Sequence, residues 1–171
     1  MSTNLQFIQQ FTGDTVANFE LTNIFDSKYD IYRIDLIQEE VSNDDYNYFR
    51  IINASGTDSG SNYCYSNHLM YAHTTSAQVK SNSTTTANYV GYLFPAGYDG
   101  GVGATIMVYN STDSSSYTFF TVKVSSFANG VGLYGGRAIM SHKVEEAITG
   151  LSFQRTGNFN KVKANVYGGK K

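Results

Sequence analysis

"AITGLSFQRTGNFNKVKANVYGG", Ala147 to Gly169, is the stretch that decides the fold. Ile148, Leu151 and Phe153 make an apolar strand, Gly157-Asn158 supplies turn chemistry with Phe159 just after it, and Val166-Tyr167-Gly168 end a second strand. The segment therefore reads as a hairpin that closes a β fold, not as a frayed tail.

Upstream, the dominant period is two. In "YDIYRIDLIQEE", Tyr29 to Glu40, Tyr32, Ile34 and Leu36 fall on one face and Arg33 and Asp35 on the other. "YNYFRIIN" puts Phe49 and Ile51 on one face and reads as the next antiparallel strand, while "SYTFFTVKVSSF" aligns Thr118, Phe120, Val122 and Val124. "NYVGYLFPAGY" and "GATIMVYN" flank Asp99-Gly100-Gly101, a junction suited to the positive φ of a tight turn, and are expected to form a hairpin. No sustained helical stripe exists; the helix candidates are the short "NLQFIQQF" and "SNHLMYAH". Strands about ten residues apart, separated by polar turns and with no linker or repeat, predict an all-β, jelly-roll-like antiparallel β-sandwich. It is a single domain with at most short helices: 1–12 an N-terminal arm or short helix or strand, 13–168 the sandwich, 169–171 a free tail.

Composition agrees. The chain has 171 residues, enough to bury roughly 70% of its unfolded surface. It has 14 tyrosines, 11 phenylalanines, 16 glycines and one proline, a mixture that suits pleated strands and the turns between them. Only 15% of residues are charged, so Ser, Thr and Asn carry solubility, as is common in extracellular and virion surface proteins. A net charge of −2 without a basic block disfavours a nucleic-acid partner. No apolar run reaches membrane-spanning length, and "MSTNLQFIQQF" lacks the charged and apolar regions of a cleavable leader. The single cysteine, Cys64, cannot form an internal disulfide and is expected in a small, buried, apolar role.

Candidate chemistry is sparse. "GVGLYG", Gly130 to Gly135, matches a dinucleotide fingerprint in letters, but that motif needs a helix starting inside it, and "GLYGGRAIM" reads as strand and turn. "TDSGS", Thr57 to Ser61, is loop chemistry. His68 and His73 stand five apart, off the zinc-binding helical spacing, and with His142 are expected as surface or network residues. Sequence neighbours in a turn, such as Glu39-Glu40 and Asp44-Asp45, rarely face each other across a cleft as glycoside hydrolysis requires, and Asp58, Asp99 and Asp113 follow no calcium-loop spacing. No catalytic residue, metal or cofactor is therefore expected. Asn53, Asn82 and Asn110 open glycosylation triplets, which matter only in a glycosylating host. Tyr63, Tyr65, Tyr71, Tyr89, Tyr92 and Tyr98 could stack on the apolar faces of sugars, and Tyr63, Tyr65, Tyr71 and Tyr98 are the glycan-contact candidates.

The closing segment resembles that of a group of tailed-bacteriophage virion proteins, especially from phages of marine and cyanobacterial hosts. Those chains end with an apolar I-T-x-I-x-F strand, a G-N-F turn and a final Y-G. "FELTNIFDSKYDIYRIDL", Phe19 to Leu36, is similar to their earlier region, and the resemblance extends loosely over residues 16–168. Lys161-Val162-Lys163 and the final "GKK" depart from it. The resemblance implies a non-enzymatic capsid decoration, or cement, protein on the virion exterior, assembled in the host cytoplasm. It would form a homotrimer and bridge major capsid protein subunits, with Leu5, Phe7, Ile8 and Phe11 contacting the coat or a neighbouring subunit; under the resemblance, Asn165, Val166 and Tyr167 would finish a central or inner strand, with the chain structural up to Gly168 and free only over 169–171. The alternative is a tail-fibre or receptor-binding module that recognises host surface glycans.

Overall fold

A computed structural model of the chain describes residues 5–40, 45–72, 77–96, 101–128 and 132–169. The strands are β1 (Leu5–Gly13), β2 (Val16–Leu21), β3 (Ile31–Glu40), β4 (Asp45–Asn53), β5 (Gly56–Thr57) and β6 (Tyr63–Ala72). They continue with β7 (Ala77–Ala87), β8 (Val90–Ala96), β9 (Val102–Tyr109), β10 (Thr118–Ala128), β11 (Gly132–His142) and β12 (Gly150–Gly169). Every ladder among the described residues is antiparallel, and no helix occurs among them.

β12 belongs to two sheets. Its first half pairs with β2 and β4, which carries β5 and β8 on its far side. Its second half pairs with β1 and β3, and beyond β3 follow β9, β10, β11, β6 and β7. The inner faces meet in one core, where Phe49 of the smaller sheet touches Phe120 of the larger, ring centres 5.2 Å apart. The fold is an all-β, jelly-roll-like antiparallel sandwich in which one strand changes sheets, as corner strands of sandwiches do at bulges or bends.

The bend lies at Gly157-Asn158, where the sequence suggested a hairpin turn. Ladder pairing with β2 jumps from Gln154↔Asn18 to Phe159↔Val16, so β12 inserts residues that β2 lacks. The Arg155 guanidinium donates to the Asn158 carbonyl across the kink, and Lys161 adopts a positive φ of 46°. Phe19 holds the two halves together: its ring stacks on Phe153 at 4.7 Å and meets Phe159 edge-on at 5.2 Å. The expected turn is a kink inside one strand because both phenylalanines gain burial against the same distant ring. The expected inner strand is found: Val166 and Ala164 are fully buried between β1 and β3. Gly168 is packed against Tyr29, and a Cβ there would lie 2.4 Å from that ring.

Other local expectations divide cleanly. Tyr32, Ile34, Leu36, Phe49, Ile51, Phe120 and Val122 are buried as their alternation requires. Pairings between consecutive strands are less faithful, because partners are chosen by the core and not by proximity in sequence. β4 lies in the other sheet from β3, and β8 pairs with β4 while β9 sits between β3 and β10. The expected β8–β9 hairpin is therefore absent, and its turn residues 97–100 lie outside the described residues. "NLQFIQQF" and "SNHLMYAH" are strand, within β1 and β6, as far as they are described. Cys64 is half-buried on the outer face instead of in the core.

Phe19→Ala should cost about 3–5 kcal/mol, because it unseats both halves of β12 at once; urea unfolding checks it. Truncation after Asn165 should abolish the folded circular-dichroism signal, whereas truncation after Gly169 should leave it intact.

Candidate functional site

The best-defined polar cluster joins three segments distant in sequence. Asp58 sits in the loop after β5, His142 ends β11, and Glu146 lies in the connection to β12. His142 is fully buried, and its Nε2 lies 2.7 Å from Asp58 Oδ2 and 3.8 Å from Glu146 Oε1. The Asp58 carboxylate also accepts hydrogen bonds from the Gly60 N–H and the Asn62 side chain, while Asn53 donates to both Glu146 oxygens. Tyr63 closes the cluster from below. Its ring lies 5.0 Å from that of His142, and its hydroxyl accepts from the Ile51 N–H and donates to the Asp58 carbonyl.

Electrostatics follow from this packing. Burial alone would raise the Asp58 carboxyl, but donors from Asn62, Gly60 and His142 outweigh it and hold it below the ordinary carboxylate range. Burial pushes the Tyr63 hydroxyl well above its usual value, so it stays protonated and donates. Asp58, His142 and Glu146 each present a ligand atom within 4.8 Å of the others, a set that a divalent cation could use. The donors already satisfying the Asp58 oxygens, and the hydrogen-bond separation to His142, fit a loop pin better than a cation cage. Among the described residues, no serine, threonine or cysteine hydrogen-bonds to the His142 ring, so no hydroxyl or thiol nucleophile is paired with it there.

The outer face of the larger sheet is different in character. Ladder register places Leu5, Gly169, Ile31, Tyr109, Phe119, Ser141 and Cys64 in one row across adjacent strands. The next row carries Phe7, Tyr167, Arg33, Met107, Thr121 and Ile139. Large apolar side chains in these rows face solvent: Leu5 is 43% exposed, Phe7 54%, Ile31 38%, Phe119 44% and Ile139 65%. A depression of about 400 Å³ opens beside Phe119 and Ile139, with Cys64 and Met140 in its lining. Exposed apolar surface of this kind is found at protein and ligand interfaces.

The residues expected to contact partners separate into two pairs. Leu5 and Phe7 lie on the exposed face, with Phe7 edge-on to Tyr167 at 5.8 Å. Ile8 and Phe11 turn inward, and Phe11 stacks on Phe19 at 4.6 Å. Of the glycan-contact tyrosines, Tyr63 is fully buried and Tyr65 packs against the core. The side chain of Tyr71, and all of Tyr98 and His73, lie outside the described residues. His68 is exposed on β6, as a surface histidine should be. Gly132 to Gly135 of the apparent dinucleotide fingerprint lie on β11, where no helix begins. Ile31, Phe119 and Ile139 were not anticipated, although their places on strands of alternating pattern could have shown that they oppose the buried rows.

No family model matches the chain, and no curated protein matches it significantly. Among solved structures it is similar to the galectin LEC-6 of Caenorhabditis elegans, at 7% identity and a TM-score of 0.38, covering 95% of this chain and 96% of that one. It is also similar to the marine PL-14 alginate lyase of Aplysia kurodai, at 8% identity and a TM-score of 0.38, over 94% and 80% of the two chains. A CBM2 module of the evolved Dit of Lactobacillus casei BL23 phage J-1 aligns at 8% identity and a TM-score of 0.23, over 93% and 75%.

The depressed Asp58 carboxyl gives a signed prediction. Its contribution is complete above the unfolded carboxylate value of about 3.9 and is lost as pH falls through the lower folded value. Asp58→Asn should therefore flatten the acid limb of stability against pH, measured by urea unfolding between neutral and acid pH.

Proposed function

We propose that this chain is a structural protein of a tailed-bacteriophage virion, a decoration protein on the capsid exterior that binds major capsid protein subunits and associates with its own copies as a homotrimer. The observation that carries the reading is the exposed apolar band of Leu5, Phe7, Ile31, Phe119 and Ile139. Its longer row crosses seven strands, about 29 Å at the usual strand spacing, a width suited to a standard protein interface. The depression beside Phe119 and Ile139 offers a seat for an apolar side chain of the partner. The resemblance of Phe19 to Leu36 and of Ala147 to Gly169 to phage virion proteins supplies the identity of that partner.

The physics of the role matches the surface. A filled capsid resists internal pressure when a small protein bridges neighbouring coat subunits, since modest contacts are repeated at every symmetry copy. An apolar band with few charges binds by desolvation, so attachment should survive salt. A tail-fibre role through tyrosine stacking on glycans has less support, because Tyr63 and Tyr65 are turned into the fold.

The test uses particles assembled without this protein. Added back, the wild-type chain should co-sediment with them and raise the temperature at which they release DNA. The Phe7→Asp/Phe119→Asp variant should keep its circular-dichroism spectrum and melting temperature but bind at least about tenfold more weakly, as loss of interface anchors does. Unchanged binding by that variant, or an unchanged release temperature with wild-type protein, would overturn the proposal.

A further inference from the structure

Next to the apolar band, the same outer face carries a row of polar side chains. Ladder register aligns Asn165, Asp35, Thr105, Lys123, Arg137 and His68 on six adjacent strands, β12, β3, β9, β10, β11 and β6. Lys123 and Arg137 are direct cross-strand partners, both exposed. Like charges facing each other across a ladder are destabilising. In a chain with 12 lysines and arginines and a net charge of −2, this placement has no folding benefit. Neither cation makes an ion pair among the described residues. The nearest carboxylate in the row, Asp35, is two strands from Lys123 and already accepts from Arg33 Nε and Thr105 Oγ1, each at 2.9 Å.

Beside this row the sheet has a floor without bulk. Gly103, Ser125 and Gly135 are cross-strand neighbours on β9, β10 and β11. A Cβ built on Gly103 would meet only the Ser125 hydroxyl, at 3.7 Å, so the fold does not require glycine there. A glycine inside a strand with open space above it marks a place where another molecule approaches the backbone. Two depressions of about 460 and 540 Å³ share Gly103, Ser125 and Ile37 and form one trough. Its far wall is apolar, made by Phe127 and Leu133, which face each other across β10 and β11 and are both exposed.

We infer that this trough binds an acidic oligosaccharide of the uronate type, whose carboxylates pair with Lys123 in the trough lining and with Arg137, its cross-strand partner just outside that lining. Hydroxyls of the sugar meet Asp35, Thr105 and Ser125, a mixture of acceptors and donors. The unobstructed floor admits the rings, and Phe127 offers an aromatic face to their C–H groups. An acidic peptide fits less well, because β9, β10 and β11 are each paired on both sides and leave no edge for a peptide backbone. A polyphosphate fits less well too, since it carries neither hydroxyls to donate to Asp35 nor C–H groups to meet Phe127, both of which line the trough.

The experiment titrates the full chain calorimetrically with an oligogalacturonate, a neutral galactan of equal length, polyglutamate and inorganic polyphosphate. Binding of the oligogalacturonate alone, weakened by added salt, is expected. Lys123→Ser/Arg137→Ser should weaken it at least about tenfold, as removal of paired charges does. Gly103→Leu should block it without lowering the melting temperature. No binding of the oligogalacturonate, equal binding of polyglutamate, polyphosphate or galactan, or wild-type binding by the charge variant would each overturn the inference. The Phe7→Asp/Phe119→Asp variant should still bind the sugar, which separates this outcome from that of particle attachment.

Discussion

The two sheets are one body because a single continuous strand is hydrogen-bonded in both. β12 offers its first half to β2 and β4 and its second half to β1 and β3, and the kink between the halves is fixed by Phe19. Three rings do this work: Phe153 and Phe159 approach Phe19 from either side of the inserted residues, and Phe11 stacks on its other face. Aromatic contacts of this geometry add to the burial of large apolar area, so the kink and the core are one energetic unit. The outer face inherits its order from the same strand, since β12 sets the register of β1 and β3 and, through β3, that of β9 and its neighbours.

Much of this was legible in the sequence wherever alternation was strong. Tyr32, Ile34 and Leu36 declared their face, as did Phe49 with Ile51 and Phe120 with Val122, because a half-buried strand writes its two environments into alternate residues. Pairing was not legible to the same degree. Asp99-Gly100-Gly101 has hairpin chemistry, yet the flanking strands belong to different sheets, since the partners of β8 and β9 are set by distant apolar rows. Gly157-Asn158 serves a turn or a kink equally well in local terms, and the ring that decides between them is Phe19. Leu5, Ile8 and Phe11 imitate a helical spacing only because the ladder slips between Phe7 and Gln9, which adds a residue to β1. The cluster of Asp58 and His142 was invisible for a related reason: its members are 84 residues apart, and only Asp58 with Gly60 has a local signature.

One sheet face presents two kinds of chemistry, divided by register. The band from Leu5 to Phe119 is apolar and the row from Asn165 to His68 is polar, and ladder pairing keeps each type in line across strands that are not consecutive in the chain. A slip of one residue in any ladder would exchange core and surface along that strand, so the order of the outer face is a by-product of the constraint that packs the inner one. The buried pin of Asp58, His142 and Tyr63 works at the opposite edge of this logic. It ties the loop before β6 and the connection before β12 to the core without contributing to the exposed rows.

The strand that joins the sheets follows β1 to β11 in the chain, and this has a consequence for how the protein is made. While a ribosome delivers residues at about 5–20 per second, β1 to β11 emerge before the partner that four of them need. Phe19, Phe49 and Ile51 must wait for β12 to emerge before the contacts they make with it can form. Such non-local pairing is slow to form and exposes nascent chains to aggregation. The scarcity of charge along the chain makes that interval more hazardous, so yield in a heterologous host should depend on chaperone supply and growth temperature more than on the stability of the finished fold.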